Sequence, residues 1–323
     1  MLILEIMGKY ERQLIEDTEK IIVKILNSEP LTSNDKKNRW FNHAVQIAKQ
    51  INRDFPNISS VKHLGNRYDN TGDILIISNS KGIFIEVKMS ETKLGVGTKA
   101  NISQDALTEN HLFIGKIKSW STWREEKNHN KWVKASLNKF NRYPQRILKI
   151  GNSTTQREEK ARYLRGLKRN RKSKDILKNI HNRDRKEKLD YFKYLSVQKQ
   201  DREMIKRFFV LITLGIHTKE ALTDLIKKKD LFREVQNLYI YYTNCRKGKV
   251  IIKKENAGKR INRIIGKYPK FEIIFPKGLT HCKIAGIKDN ISKPLLQVVL
   301  HWKNIAQGIK TPCLNIFDLT VNS

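Results

Sequence analysis

Two apolar runs rich in β-branched residues, Ile74-Leu75-Ile76-Ile77 and Ile83-Phe84-Ile85, flank the turn-forming Asn79-Ser80-Lys81-Gly82, and no other stretch restricts the fold so tightly. Runs of this length around such a turn read as a hairpin. Apolar residues occupy both faces of each run, as in strands inside a sheet rather than at its edge. Ionisable residues nevertheless stand at the open end: Asp73 just ahead of the first run, Glu86 and Lys88 at the end of the second. We expect a register that pairs Ser78 with Ile83. Side chains alternate along a strand, so Asp73, Leu75 and Ile77 then share a face with Phe84, Glu86 and Lys88. Asp73 faces Lys88 and lies diagonal to Glu86, within reach of a shared ion. A loop of odd length would send Asp73 to the other face.

Two carboxylates this close repel, and burial penalises both charges. A divalent cation removes the conflict, and hard oxygen ligands with room for water suit Mg²⁺. A metal so held can acidify a bound water and stabilise charge on a phosphate. Lys88 can hold the attacking water or neutralise the transition state. The ordinary alternative is an exposed ion pair on a hairpin rim, and the apolar flanking runs argue against it.

Gly72-Asp73 followed by Glu86-Val87-Lys88 resembles the PD-(D/E)xK nuclease superfamily, and within it the type II restriction endonucleases. Gly72 stands where that family has proline, a difference that touches no ligand. The segment Met89 to Gln104 and the late run Gln297 to Asn304 also look like parts of some restriction enzymes. The resemblance implies an α/β (mixed α+β) fold, with a restriction-endonuclease-like core whose central mixed β-sheet is flanked by helices. It implies Asp73 and Glu86 as Mg²⁺ ligands, the Val87 carbonyl as a further ligand, and Lys88 positioning the water. It also implies in-line hydrolysis that leaves a 5′-phosphate. Many nucleases of this class carry a third acidic group on a helix before the metal strand, and Glu11 and Glu16 are the candidates. A solvated helix face is the ordinary reading of each.

The charge points the same way. The chain of 323 residues has 65 Lys and Arg against 32 Asp and Glu, a formal net charge of +33, which calls for a polyanionic partner, most simply nucleic acid. No apolar run reaches the 18 residues of a membrane span, and Met1 to Met7 is too short for a signal segment. Cys245, Cys282 and Cys313 lie far apart, so neither a zinc site nor a disulfide framework is expected. Free thiols fit a reducing cytoplasm, and the resemblance implies that of a prokaryotic cell.

The positive charge is uneven. Residues 1–123 carry 17 basic and 14 acidic residues, residues 124–207 carry 27 and 10, and residues 208–323 carry 21 and 8. This divides the chain into a nuclease core with the metal hairpin (1–123), a basic, mainly helical insert (124–207), and a mixed, β-rich C-terminal part (208–323) that completes the core or grips DNA. In the insert, Arg162, Arg165, Lys168, Arg169, Arg171 and Lys172 lie among apolar residues at helical spacing, as on a helix facing a phosphate backbone. Beside the metal hairpin, Ser90 to Thr98 reads as a substrate-holding loop. Ser90, Lys93, Lys99 and Asn101 are the candidate contacts there.

Helices are expected over Lys9–Asn27, Trp40–Phe55, Ser103–Asn110 and Thr218–Tyr242, with Arg207–Ile216 as core. Strands are expected over Ile58–Leu64, Lys249–Lys254, Phe271–Phe275, Leu295–Trp302 and Cys313–Leu319, punctuated by prolines that include Pro294. The expected function is site-specific, Mg²⁺-dependent hydrolysis of double-stranded DNA by a type II enzyme of a restriction-modification system. A homodimer would supply two active sites for the two strands. The rival readings are a structure-selective or repair nuclease of the same superfamily, and a basic DNA-binding protein without catalysis.

Overall fold

Strands β2 (Ile74–Ser78) and β3 (Lys81–Ser90) are joined by Asn79 and Ser80 alone, at φ 48° and 61°. Two successive left-handed residues form the kind of tight turn whose twist matches that of the strands it joins. The computed structural model that shows this describes residues 2–65, 71–90, 99–102, 117–139, 170–198, 201–215, 222, 227, 231–246, 249–276, 281–301 and 313–320. The turn pairs Ser78 with Lys81, Ile76 with Ile83 and Ile74 with Ile85. The expected register is therefore corrected by two residues. Its parity survives, so the same side chains share a face, but one step further along the ladder Asp73 comes beside Glu86 rather than Lys88.

The hairpin lies inside a mixed sheet. With β1 (Ile58–His63), β5 (Leu238–Arg246) and β6 (Lys249–Asn256), the order is β1-β2-β3-β5-β6. All neighbours are antiparallel except β3 and β5, which are parallel. The protein is thus mixed α and β. The strands expected inside the sheet are inside it, and residues 238–256 supply the two strands on the β3 side of the hairpin.

On one face, Ile74, Ile76, Ile85, Val87 and Tyr241 pack against α1 (Leu2–Leu26) and α3 (Phe41–Asp54). Helix α3 buries Ala44, Ile47, Ala48 and Ile51, a stripe at three- and four-residue spacing. Between them, α2 (Ser33–Lys37) is closed by a capping box of Thr32 and Asp35. Helix α3 is fixed to the sheet by polar contacts as well. Tyr241 donates its hydroxyl to Asp54 at 2.7 Å, and His43 hydrogen-bonds Thr243.

The other face carries the larger core. Helix α7 (Asp201–Leu214) buries Met204, Ile205, Phe208, Phe209, Leu211 and Ile212, so the apolar run after Arg207 is core, within a helix. It packs with α9 (Ala257–Lys267) and a second sheet. That sheet is fully antiparallel in the order β4-β10-β9-β8-β7, from β4 (Lys99–Ile102), β7 (Lys270–Ile274), β8 (His281–Lys288), β9 (Ile291–His301) and β10 (Cys313–Asp318). The C-terminal part therefore both completes the first sheet and builds a second. Pro294 does not end a strand. It lies within β9 opposite Ala285, where the register shifts, and such an irregularity tolerates a residue without an amide hydrogen.

The helix expected over Thr218–Tyr242 is corrected. Leu231–Val235 is a short helix, α8, and β5 starts at Leu238. Leu238-Tyr239-Ile240-Tyr241-Tyr242-Thr243 is rich in aromatic and β-branched residues, which suit a pleated surface. The helix expected over Ser103–Asn110 lies outside the described residues. Helices α4 (Trp120–Glu126) and α5 (His129–Leu137) pack on α6 (Arg171–Ser196), which Asn170 caps by accepting from the Ser173 amide. A buried ionic cluster joins the three. Lys188 pairs with Asp184 at 2.6 Å, Glu187 with His129 and Arg183, and the wholly buried Arg124 donates to Asn130.

Candidate metal and catalytic site

Asp73 is held by its backbone before its side chain does anything. Its amide donates to the Ile85 carbonyl at 2.8 Å, and its carbonyl accepts from the Leu64 amide at 2.9 Å. Gly72 makes this path possible. It sits at φ +80°, and a Cβ there would meet the Ile85 carbonyl oxygen at 2.9 Å. Proline, locked near φ −65°, cannot occupy this position. A proline here would require the chain to enter the site by another backbone path. Asp73 Oδ2 accepts the Val87 amide at 2.8 Å, across to the strand that carries the other two groups.

Glu86 and Lys88 stand two residues apart on β3 and so on one face. The Lys88 ammonium donates to the Glu86 carboxylate, and Glu86 is buried. Val87, between them, points its side chain into the core on the α1 and α3 side. The ladder thus separates structure from chemistry along β3, residue by residue.

The structure adds a residue that the sequence reading passed over. Glu19, on α1, is 2% exposed and hydrogen-bonds His63 Nε2 through Oε2 at 2.9 Å. Burial, then repulsion from Glu86 and Glu16, pushes its carboxyl up from 4.5 to about 8. Asp73 is pushed well above the usual range by burial, then by Glu86 and Glu19. Burial works against the Lys88 charge, but Glu86 and Asp73 outweigh it and hold the ammonium above its ordinary value. Three carboxylates and one ammonium thus feel each other at the end of β3. His63 is shifted below its ordinary value by burial and then by Lys20, which favours the neutral ring beside Glu19.

Of the two expected helix acids, Glu16 pairs with Lys20 at 2.8 Å, and Glu11 lies among α1 side chains outside the described set. Among the described side chains of α1, the acid that feels Glu86 and Asp73 is Glu19. A signal for it exists in the sequence: Glu19 falls four residues after Ile15, three before Ile22 and seven before Leu26, inside the apolar stripe.

The donor set suits a hard divalent cation. Its carboxylates are desolvated and mutually repelled, and a cation would relieve both penalties. Each has a protein partner: Asp73 the Val87 amide, Glu86 Lys88, and Glu19 His63. Among the described residues, no three His, Cys, Asp or Glu side chains close around a common point as a finished metal site would. Binding would require Glu86 to exchange Lys88 for the ion.

The remaining expected contacts divide by what is described. Arg171 and Lys172 are exposed in the first turn of α6. The backbone of Ser90 ends β3, and those of Lys99 and Asn101 belong to β4, which pairs with β10 in the second sheet. Lys93, Arg162, Arg165, Lys168 and Arg169 lie outside the described residues. Cys282 is a buried free thiol. Among the described residues, no helix is long and apolar enough to cross a membrane. Against protein-family models, curated proteins and solved structures, this chain finds no match.

Proposed function

We propose that this protein is a Mg²⁺-dependent endonuclease of the PD-(D/E)xK kind, cutting double-stranded DNA at specific sites as a type II restriction enzyme. One observation carries the reading. Asp73, Glu86 and Lys88 stand together at the end of two central strands, a cluster with more acid than base in a chain of formal net charge +33. Such a chain attracts a polyanion and then presents it with a place for a cation.

Asp73, Glu86 and Glu19 would hold the magnesium, with the Val87 carbonyl as a further ligand. Bound there, the ion supplies a Lewis acid for the scissile phosphate and an acidified water. Lys88, once released from Glu86, would direct its ammonium to the reacting phosphate or the attacking water, where new negative charge develops. His63 keeps the Glu19 carboxylate aimed, since a hydrogen-bonded imidazole restricts its rotation. Cutting two strands at one site needs two such centres, and a symmetric pair of chains reading a palindrome supplies them. A site-specific cutter also needs host DNA protected by a partner methyltransferase, in the cytoplasm of a prokaryotic cell.

The test is digestion of unmethylated phage DNA with Mg²⁺ and with EDTA. Discrete fragments in Mg²⁺ alone support the reading. Asp73→Ala and Lys88→Ala should each lose roughly a hundredfold or more in rate while still binding DNA. A Mg²⁺-dependent smear would replace site specificity with structure-selective or repair cleavage. Intact DNA retarded on a gel would leave a binding protein without catalysis.

A further inference from the structure

Two strands across from Lys88, on the same face of the sheet, the surface sinks into a cleft of about 400 Å³. Lys88 is the register partner of Tyr242 on β5, and Tyr242 that of Lys253 on β6. Register partners project to the same side. Two strand spacings put Lys253 about 10 Å from Lys88.

Five cationic side chains surround the cleft, from three elements: Lys253 on β6, Arg260, Arg263 and Lys267 on α9, and Lys293 on β9. Glu255 is its one lining carboxylate. Arg260 is buried and held in place by Asp318 and by Tyr242 at 3.1 Å. The surplus stays positive even with Asp318 counted. Lys253, Lys267 and Lys293 have no carboxylate partner among the described residues. Like charges drawn round a concavity repel each other unless an anion joins them. Tyr242 accepts from Arg260, which leaves its own hydroxyl hydrogen to donate.

We propose that this cleft binds a backbone phosphate of the substrate, on the strand that leaves the metal site. The proposal rests on the nuclease reading for the identity of its ligand. The distance fits: measured along a duplex axis, about 10 Å is roughly three charges of one strand at ~3.4 Å each. Lys253 and Lys293 come from different sheets, so a strand bound here spans both.

The experiment compares the wild-type chain with K253A/K267A/K293A and with the triple arginine variant, in EDTA so that nothing is cut. Duplex binding is followed by fluorescence anisotropy over a range of salt. We expect the alanine variant to bind at least tenfold more weakly and its log K against log salt to flatten by about one, at about 0.9 per phosphate contact. Arginines at the three positions should restore both. These side chains are exposed, so truncation leaves the fold intact, and matching melting temperatures would verify this. An unchanged slope in a folded alanine variant would overturn the cleft assignment while leaving the nuclease reading standing. Tripolyphosphate that stabilises wild type but not the variant, with duplex binding unchanged, would make the cleft a small-anion site and overturn the DNA path. Wild-type protein that binds no duplex would overturn the function itself.

Discussion

Glu19 shows what a single buried carboxylate does to the energetics of the whole chain. Its carboxyl is raised from 4.5 in the unfolded chain to about 8 in the folded one, so over that interval the folded state binds the extra proton. Its contribution to stability is therefore full below pH 4.5 and is lost as pH rises to 8, at no more than about 1.4 kcal/mol per pH unit for one proton. In EDTA, the melting temperature should fall between pH 5 and pH 8, and Glu19→Gln, which cannot lose a proton, should fall less steeply. Asp73 keeps some slope in the variant, because burial raises its carboxyl too. Identical slopes would remove Glu19 from the coupled cluster. Asp73, Glu86 and Lys88 were legible as residues because their spacing around one hairpin is a local property. Glu19 was less so, because Glu11 and Glu16 on the same helix are equally acidic, and only its place in the apolar stripe marks it as inward-facing.

At the scale of elements, the hairpin depends on two backbone positions that L-residues rarely adopt. Asn79 tolerates a left-handed conformation, but Ser80 gives no such hint, and Gly82 draws the eye to a turn further along. Parity was therefore readable and the register was not. Gly72 matters more. Gly72→Ala forces a Cβ against the Ile85 carbonyl at φ +80° and should cost about 1–3 kcal/mol. It should also cost more cleavage than this stability loss explains, at a temperature where the variant stays folded, because Asp73 follows directly. Gly82→Ala is the control: its Cβ would meet Leu75 Cδ1 at an ordinary 3.7 Å, so both stability and cutting should change little. Equal effects at the two glycines would mean that Gly72 has no special part in aiming Asp73. Helix α3 was legible because Ala44, Ile47, Ala48 and Ile51 recur at helical spacing. Strand β5 was not, because its apolar start continues a helical pattern and its partner lies far back in the chain.

Over the whole molecule, a formal net charge of +33 is a standing strain on the folded state. Any polyanion that neutralises it should stabilise the chain, whatever the chemistry at Asp73. A duplex added in EDTA at low salt should raise the melting temperature, and the gain should fade towards 1 M salt, where the screening length shrinks to about 3 Å. No gain at low salt would deny the charge its expected partner. The sequence divides by charge at positions 123 and 207, yet the first sheet ignores that division, since pairing, not composition, decides which strands are neighbours. This has an effect in time. Lys88 lies beside Tyr242, and everything from α4 to α8 is synthesised between them. On the ribosome, the strand bearing Glu86 and Lys88 waits without its parallel neighbour until β5 emerges. Long-range pairing of this kind forms slowly and late. A nascent chain would thus carry every residue of the Asp73 cluster before the central sheet has closed, and under the proposed function cutting would wait for that closure.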